Sequence, residues 1–106
     1  MWILPKHHSS SYTDQTEESM QQLVEIFSES LRRLDACISN VPYNFVLHGA
    51  PMHSEPLDYF HWHFEIRPKL TTIAGFEWGP GFYINSMPPE DAAVYMREAD
   101  PACLHE

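Results

Sequence analysis

Between Thr16 and Ser39 the residues Met20, Leu23, Val24, Phe27, Leu31, Leu34 and Ile38 recur three or four positions apart, the spacing of one apolar stripe along a long α-helix. A helix with a single apolar face needs a second layer to cover it. Thr13, Asp14 and Thr16 can cap its start, Glu17 and Glu18 suit the positive end of its dipole, and Arg32 and Arg33 lie towards the other end. Asn40-Val41-Pro42 stops it. The covering layer is supplied downstream. Tyr43 to His48 reads as a strand with Tyr43, Phe45 and Leu47 on one face and Asn44, Val46 and His48 on the other. Gly49-Ala50-Pro51 ends that strand, and a loop from Met52 to Asp58 leads into a second strand, Tyr59 to Ile66, closed by Arg67-Pro68. A third strand is expected over Thr71 to Trp78, then a turn at Gly79-Pro80-Gly81 and a short strand from Phe82 to Asn85. Pro88-Pro89-Glu90-Asp91 opens a short C-terminal helix. The expected fold class is α+β: an antiparallel sheet packed with a long helix and a short C-terminal helix, in one domain over residues 1–106.

Trp2-Ile3-Leu4-Pro5 reads as the last half of a buried strand, with no turn chemistry ahead of it. Strands rarely start at an initiator methionine, so the expectation is a domain truncated at its N-terminus, with Pro5 acceptable if the strand lies at a sheet edge. Missing strands would leave an apolar sheet edge, which favours a homodimer or association with another chain. Lys and Arg number 6 against 15 Asp and Glu, a formal net charge of -9, and this balance excludes electrostatic capture of nucleic acid or an anionic membrane. The two cysteines, Cys37 and Cys103, form no CxxC pair and no disulfide framework, which suits a reducing, cytoplasmic location.

The chemistry is concentrated in His61-Trp62-His63-Phe64-Glu65. In a strand, His61, His63 and Glu65 would share a face, the two histidines about 6.6 Å apart along the chain, while Trp62, Phe64 and Ile66 point into the core. Two imidazoles so placed, with His48 from the end of the preceding strand, can form a three-nitrogen metal site. His53 is a less constrained competitor for the third position, and water, Glu65 or a donor from elsewhere would complete the shell. Two other readings stand beside this one. The histidines can simply exchange hydrogen bonds at a half-buried sheet face. An imidazole nitrogen can also attack phosphorus and carry a nucleotidyl group, although no second group marks one histidine as the nucleophile.

Three ordered blocks carry a resemblance: Tyr43-Asn44-Phe45-Val46-Leu47-His48-Gly49-Ala50-Pro51, His61-Trp62-His63-Phe64-Glu65-Ile66-Arg67-Pro68, and Ala74-Gly75-Phe76-Glu77-Trp78. Together with Trp2-Ile3-Leu4-Pro5-Lys6 and His8, they resemble the C-terminal domain of galactose-1-phosphate uridylyltransferases, of the histidine triad-like superfamily, over about residues 2–99. The resemblance implies one zinc or iron ion on His48, His61 and His63, and contacts from Phe76 and Glu77 to a UDP-hexose or hexose 1-phosphate. It also implies a place in galactose metabolism. Thr71 or Thr72 stands where the family often carries a basic residue, which weakens a phosphate or sugar contact there. The family's nucleophile lies in a His-Pro-His motif that does not occur among these 106 residues, so no catalytic residue is assigned. His61-Trp62-His63 matches the metal block and does not replace it. The leading expectation is therefore the metal-binding, hexose-contacting half of a uridylyltransferase, inactive by itself. The alternatives are a stand-alone metal or sugar-nucleotide binding module and, last, a compact hydrolase with its own nucleophile. The hydrolase lacks a Gly-rich phosphate loop, since Gly79-Pro80-Gly81 offers too few backbone donors.

Overall fold

A computed structural model describes residues 1–53, 55–70 and 87–100. The described elements are β1 (Trp2–Ile3), a 3-10 turn (Tyr12–Asp14), α1 (Glu17–Cys37), β2 (Tyr43–His48), β3 (His63–Pro68) and α2 (Pro89–Glu98). The strands form an antiparallel sheet in the order β1-β3-β2, giving the expected α+β class. The strands expected over 71–78 and 82–85, and with them Phe76 and Glu77, lie outside the described residues. No described helix is long and apolar enough to cross a membrane. The chain groups into two compact units.

The first unit comprises Met1–Glu29 and Tyr43–Arg67. Thr16 caps α1 through its Oγ1, which accepts the Ser19 N–H at 3.1 Å, the N-cap geometry expected of a threonine. On the sheet, β1 runs antiparallel to β3 with Trp2 opposite Glu65 and Ile3 opposite Phe64. Period-two alternation then sends Ile3, Phe64 and Ile66 to one side and Trp2, His63 and Glu65 to the other. Ile3, Leu23, Trp62 and Ile66 are buried, Ile66 completely. Around them the rings of Phe27, Phe45 and Phe64 meet at 5.3–6.4 Å, and Tyr12 stands edge-on to Trp62 and Phe64 at 5.3 and 5.7 Å. Aromatic pairs prefer such edge-to-face geometry. Val24, on the apolar stripe of α1, is 59% exposed and with Met20 lines an open apolar groove of about 250 Å³ against Phe45 and Phe64.

One boundary differs from expectation. β3 begins at His63 and not at Tyr59. Ahead of it, the Phe60 N–H turns back to the Leu57 carbonyl (3.2 Å) and the Trp62 N–H goes to the Ser9 carbonyl (3.0 Å). These donors are taken by loops, and β1 is only two residues long, so no ladder partner extends β3 backwards.

The second unit comprises Ser30–Pro42 and Pro68–Glu106. Leu34 is buried, and the Arg33 guanidinium donates from Nη1 to the carbonyls of Met96 (3.0 Å), Arg97 (2.8 Å) and Ala99 (3.4 Å). A cation on the last carbonyls of a helix satisfies their free lone pairs and opposes the dipole. Arg33 thus serves the C-terminus of α2. Cys37 is a free thiol that donates to the Tyr95 carbonyl at 3.4 Å. Asn40 leaves the helix with φ 59°, its N–H held by the Asp35 carboxylate at 3.0 Å. Asparagine tolerates this left-handed conformation better than most residues.

Candidate functional site

The outward face of β3 carries the candidate chemistry. His63 lies between two other rings, stacked on Trp2 from β1 and on His48 from β2 with centroids 4.7 Å apart in each case. Its place follows from register. Trp2 pairs with Glu65 and so sits diagonally beside His63, within reach of a large ring on the same face. Glu65, two residues along, bridges two partners: one carboxylate oxygen accepts the Arg67 Nε–H at 2.7 Å and the other meets His48 Nε2 at 2.8 Å. The Arg67 hydrogen bond, and then the one from His48, hold the Glu65 carboxyl down at about 2, against the partial desolvation that pushes it up.

An ionised carboxylate only accepts, so His48 donates from Nε2 and a neutral His48 keeps its lone pair on Nδ1. His63 Nδ1 lies 3.0 Å from the His61 carbonyl, another pure acceptor, so a neutral His63 keeps its lone pair on Nε2. The face therefore offers two imidazole lone pairs, one of them on a ring oriented by a carboxylate. Such groups can bind or move a proton, donate to phosphate oxygens once protonated, or ligate a cation.

Of the three histidines expected to converge on a metal, the structure brings His48 and His63 together and places His61 differently. His61 precedes β3, where strand alternation no longer applies. Its Nε2 is 2.6 Å from the Pro5 carbonyl and its Nδ1 accepts the Ser9 N–H at 3.3 Å. His53 occupies an exposed turn with φ 63°. Among the described residues, no group of three or more His, Cys, Asp or Glu side chains is arranged to hold a metal ion. The donor set on this face is two nitrogens, with Glu65 already engaged on both oxygens, and in this arrangement His48, His61 and His63 do not fit a three-nitrogen centre.

Two members of the site went unnoticed in the sequence. Arg67 had a readable signal, since it lies two residues beyond Glu65 with opposite charge and so shares its face in a strand. Trp2 had none, because only the pairing of β1 with β3 brings it to His63.

No family model matches the sequence. Two characterised relatives do: the ADP-glucose phosphorylase of Arabidopsis thaliana, 36% identical, and the galactose-1-phosphate uridylyltransferase of Thermotoga maritima, 28% identical, each aligned over 92% of this chain. The chain spans about a third of their length, 28% and 33% respectively. Among solved structures, an Arabidopsis thaliana ADP-glucose phosphorylase with bound ADP-glucose superposes with a TM-score of 0.88 at 36% identity, over 93% of this chain and 33% of that one. A uridylyltransferase superposes with a TM-score of 0.86 at 34% identity, over 97% of this chain and 35% of that one. Over nearly its whole length this chain is thus similar in sequence and fold to one part, about a third, of an ADP-glucose phosphorylase and of uridylyltransferases.

Proposed function

We propose that this chain is the C-terminal, sugar-nucleotide-contacting portion of a nucleotidyltransferase that acts on hexose 1-phosphates. The observation that carries the reading is the alignment of 92–97% of the chain with two proteins of this kind, at TM-scores of 0.86 and 0.88 for the structures. The outward face of β3 supports it, because His48 and His63, once protonated, can donate to phosphate oxygens, and Phe76 and Glu77 of the third block are the sugar contacts the resemblance implies. Transfer needs a nucleophile, and the His-Pro-His motif is not in this sequence.

The chain alone should therefore give no exchange between UDP-glucose and galactose 1-phosphate above the buffer rate, while mixing it with a separate N-terminal half of a relative should restore transfer. Loss of a catalytic nucleophile costs several orders of magnitude, so the two outcomes are easily separated. Turnover by the chain alone, abolished by His63→Ala, would overturn the reading in favour of a self-contained hydrolase. A second reading concerns the base. The ADP-glucose phosphorylase structure is 36% identical and a uridylyltransferase structure 34%, so ADP-glucose and UDP-glucose stand as near-equal candidates for the sugar nucleotide. Running the complementation with each nucleotide decides between them.

A further inference from the structure

We propose that His61 is a two-ended hydrogen-bond tether for the segment from Pro5 to Ser9, and is thereby withdrawn from the metal centre that the family resemblance implies. The bonds specify its protonation. The Pro5 carbonyl, 2.6 Å from Nε2, can only accept, so Nε2 carries the proton; the Ser9 N–H points into Nδ1 at 3.3 Å, so Nδ1 carries the lone pair. Both nitrogens are committed in one neutral tautomer. A metal takes an imidazole through its lone pair. Ligation through Nδ1 would displace the Ser9 N–H, and ligation through Nε2 would require the other tautomer and sacrifice both bonds.

The tether does not act alone. The Trp62 N–H donates to the Ser9 carbonyl at 3.0 Å, the Ala50 N–H to the Ser10 carbonyl at 3.3 Å, and the Leu57 N–H to Ser10 Oγ at 3.3 Å, with Ser10 itself buried. His61 thus belongs to a seam that joins residues 5–10 to the loops after β2 and before β3. Releasing it would break into a connected set of bonds, not free one idle side chain. His48 and His63 remain as two nitrogens on the β3 face, one short of the three protein ligands that even an open zinc site uses.

The test is direct on the full chain. Long-range ¹⁵N–¹H correlation of the imidazoles should show His61 with a protonated Nε2 and an unprotonated Nδ1, and one equivalent of zinc(II) should leave those resonances in place. His61→Ala should lower Tm by about 5–15 °C, the range for two lost hydrogen bonds in a chain of this size, and His61→Gln, which retains a donor for the Pro5 carbonyl, should lose less. Joint zinc-induced shifts of His48, His61 and His63, or a tetrahedral cobalt(II) absorption band that disappears in His61→Gln, would overturn the proposal. So would a His61→Ala variant as stable as the parent. None of these readouts depends on transfer of a nucleotidyl group, so the outcome is separable from the transferase reading.

Discussion

Ile66→Ala tests whether the inward face of β3 holds the site face in place. Ile66 has no exposed surface, its N–H donates to the Met1 carbonyl at 2.8 Å, and its carbonyl accepts the N-terminal ammonium at 3.0 Å. The substitution leaves those backbone bonds available and removes three carbons from the core. At about 0.8 kcal/mol per buried CH₂ the transfer contribution is about 2.4 kcal/mol, and with the residual cavity the total falls at about 2.5–5 kcal/mol. Domains of this size are stable by about 5–15 kcal/mol, so the loss is a large fraction of the whole. Urea unfolding followed by fluorescence of buried Trp62 should show a midpoint lowered by about 1–2 M for a loss near the lower end of that range, with the slope unchanged. The matched control is Val46→Ala on β2, where the side chain is 44% exposed and the expected loss is below about 0.5 kcal/mol. A loss at Ile66 no larger than at Val46 would refute the assignment of a core to this face.

The folded-state pKa of Glu65 is lowered from 4.5 to about 2, so the unfolded chain binds its proton first; the stabilisation from this group is complete above about pH 5 and disappears as the pH falls towards 2. Acid unfolding of Glu65→Gln should accordingly show a shallower loss of stability across that window, and an unchanged slope would count against the Arg67 and His48 bonds. Phe27→Leu removes the edge-to-face contacts with Phe45 and Phe64 at 5.5 and 5.3 Å, and should cost about 0.5–1.5 kcal/mol beyond its change in buried area, measurable in a double-mutant cycle with Phe45→Leu. Among the described strands β2 lies at a sheet edge with Tyr43, Phe45, Val46 and Leu47 all exposed, and light scattering at tens of micromolar should give a dimer; a clean monomer at that concentration would remove this expectation.

Local pattern was enough to read the elements of the chain. The apolar stripe over Thr16 to Ser39 places α1 within two residues at either end, Thr16 caps it as its side chain requires, and Pro88-Pro89-Glu90-Asp91 opens α2 where proline and early acids favour a helix start. Alternation in His63-Phe64-Glu65-Ile66 separates the buried Ile66 from the outward His63 and Glu65, because a strand's side-chain period is set by its own backbone. The candidate face was legible to that extent. Its connections were not, because they depend on which distant atoms the sheet brings near. Strand pairing puts Trp2 on His63, and the end of β2 brings His48 to Glu65. The Arg33 guanidinium looks like a charge for its own helix until its hydrogen bonds to the last carbonyls of α2 are seen. His61 makes the distinction sharpest. In sequence it is equivalent to His63, one residue on the other side of Trp62, and only the placement of Pro5 and Ser9 beside it turns one histidine of the pair into a backbone tether and leaves the other stacked on the open face.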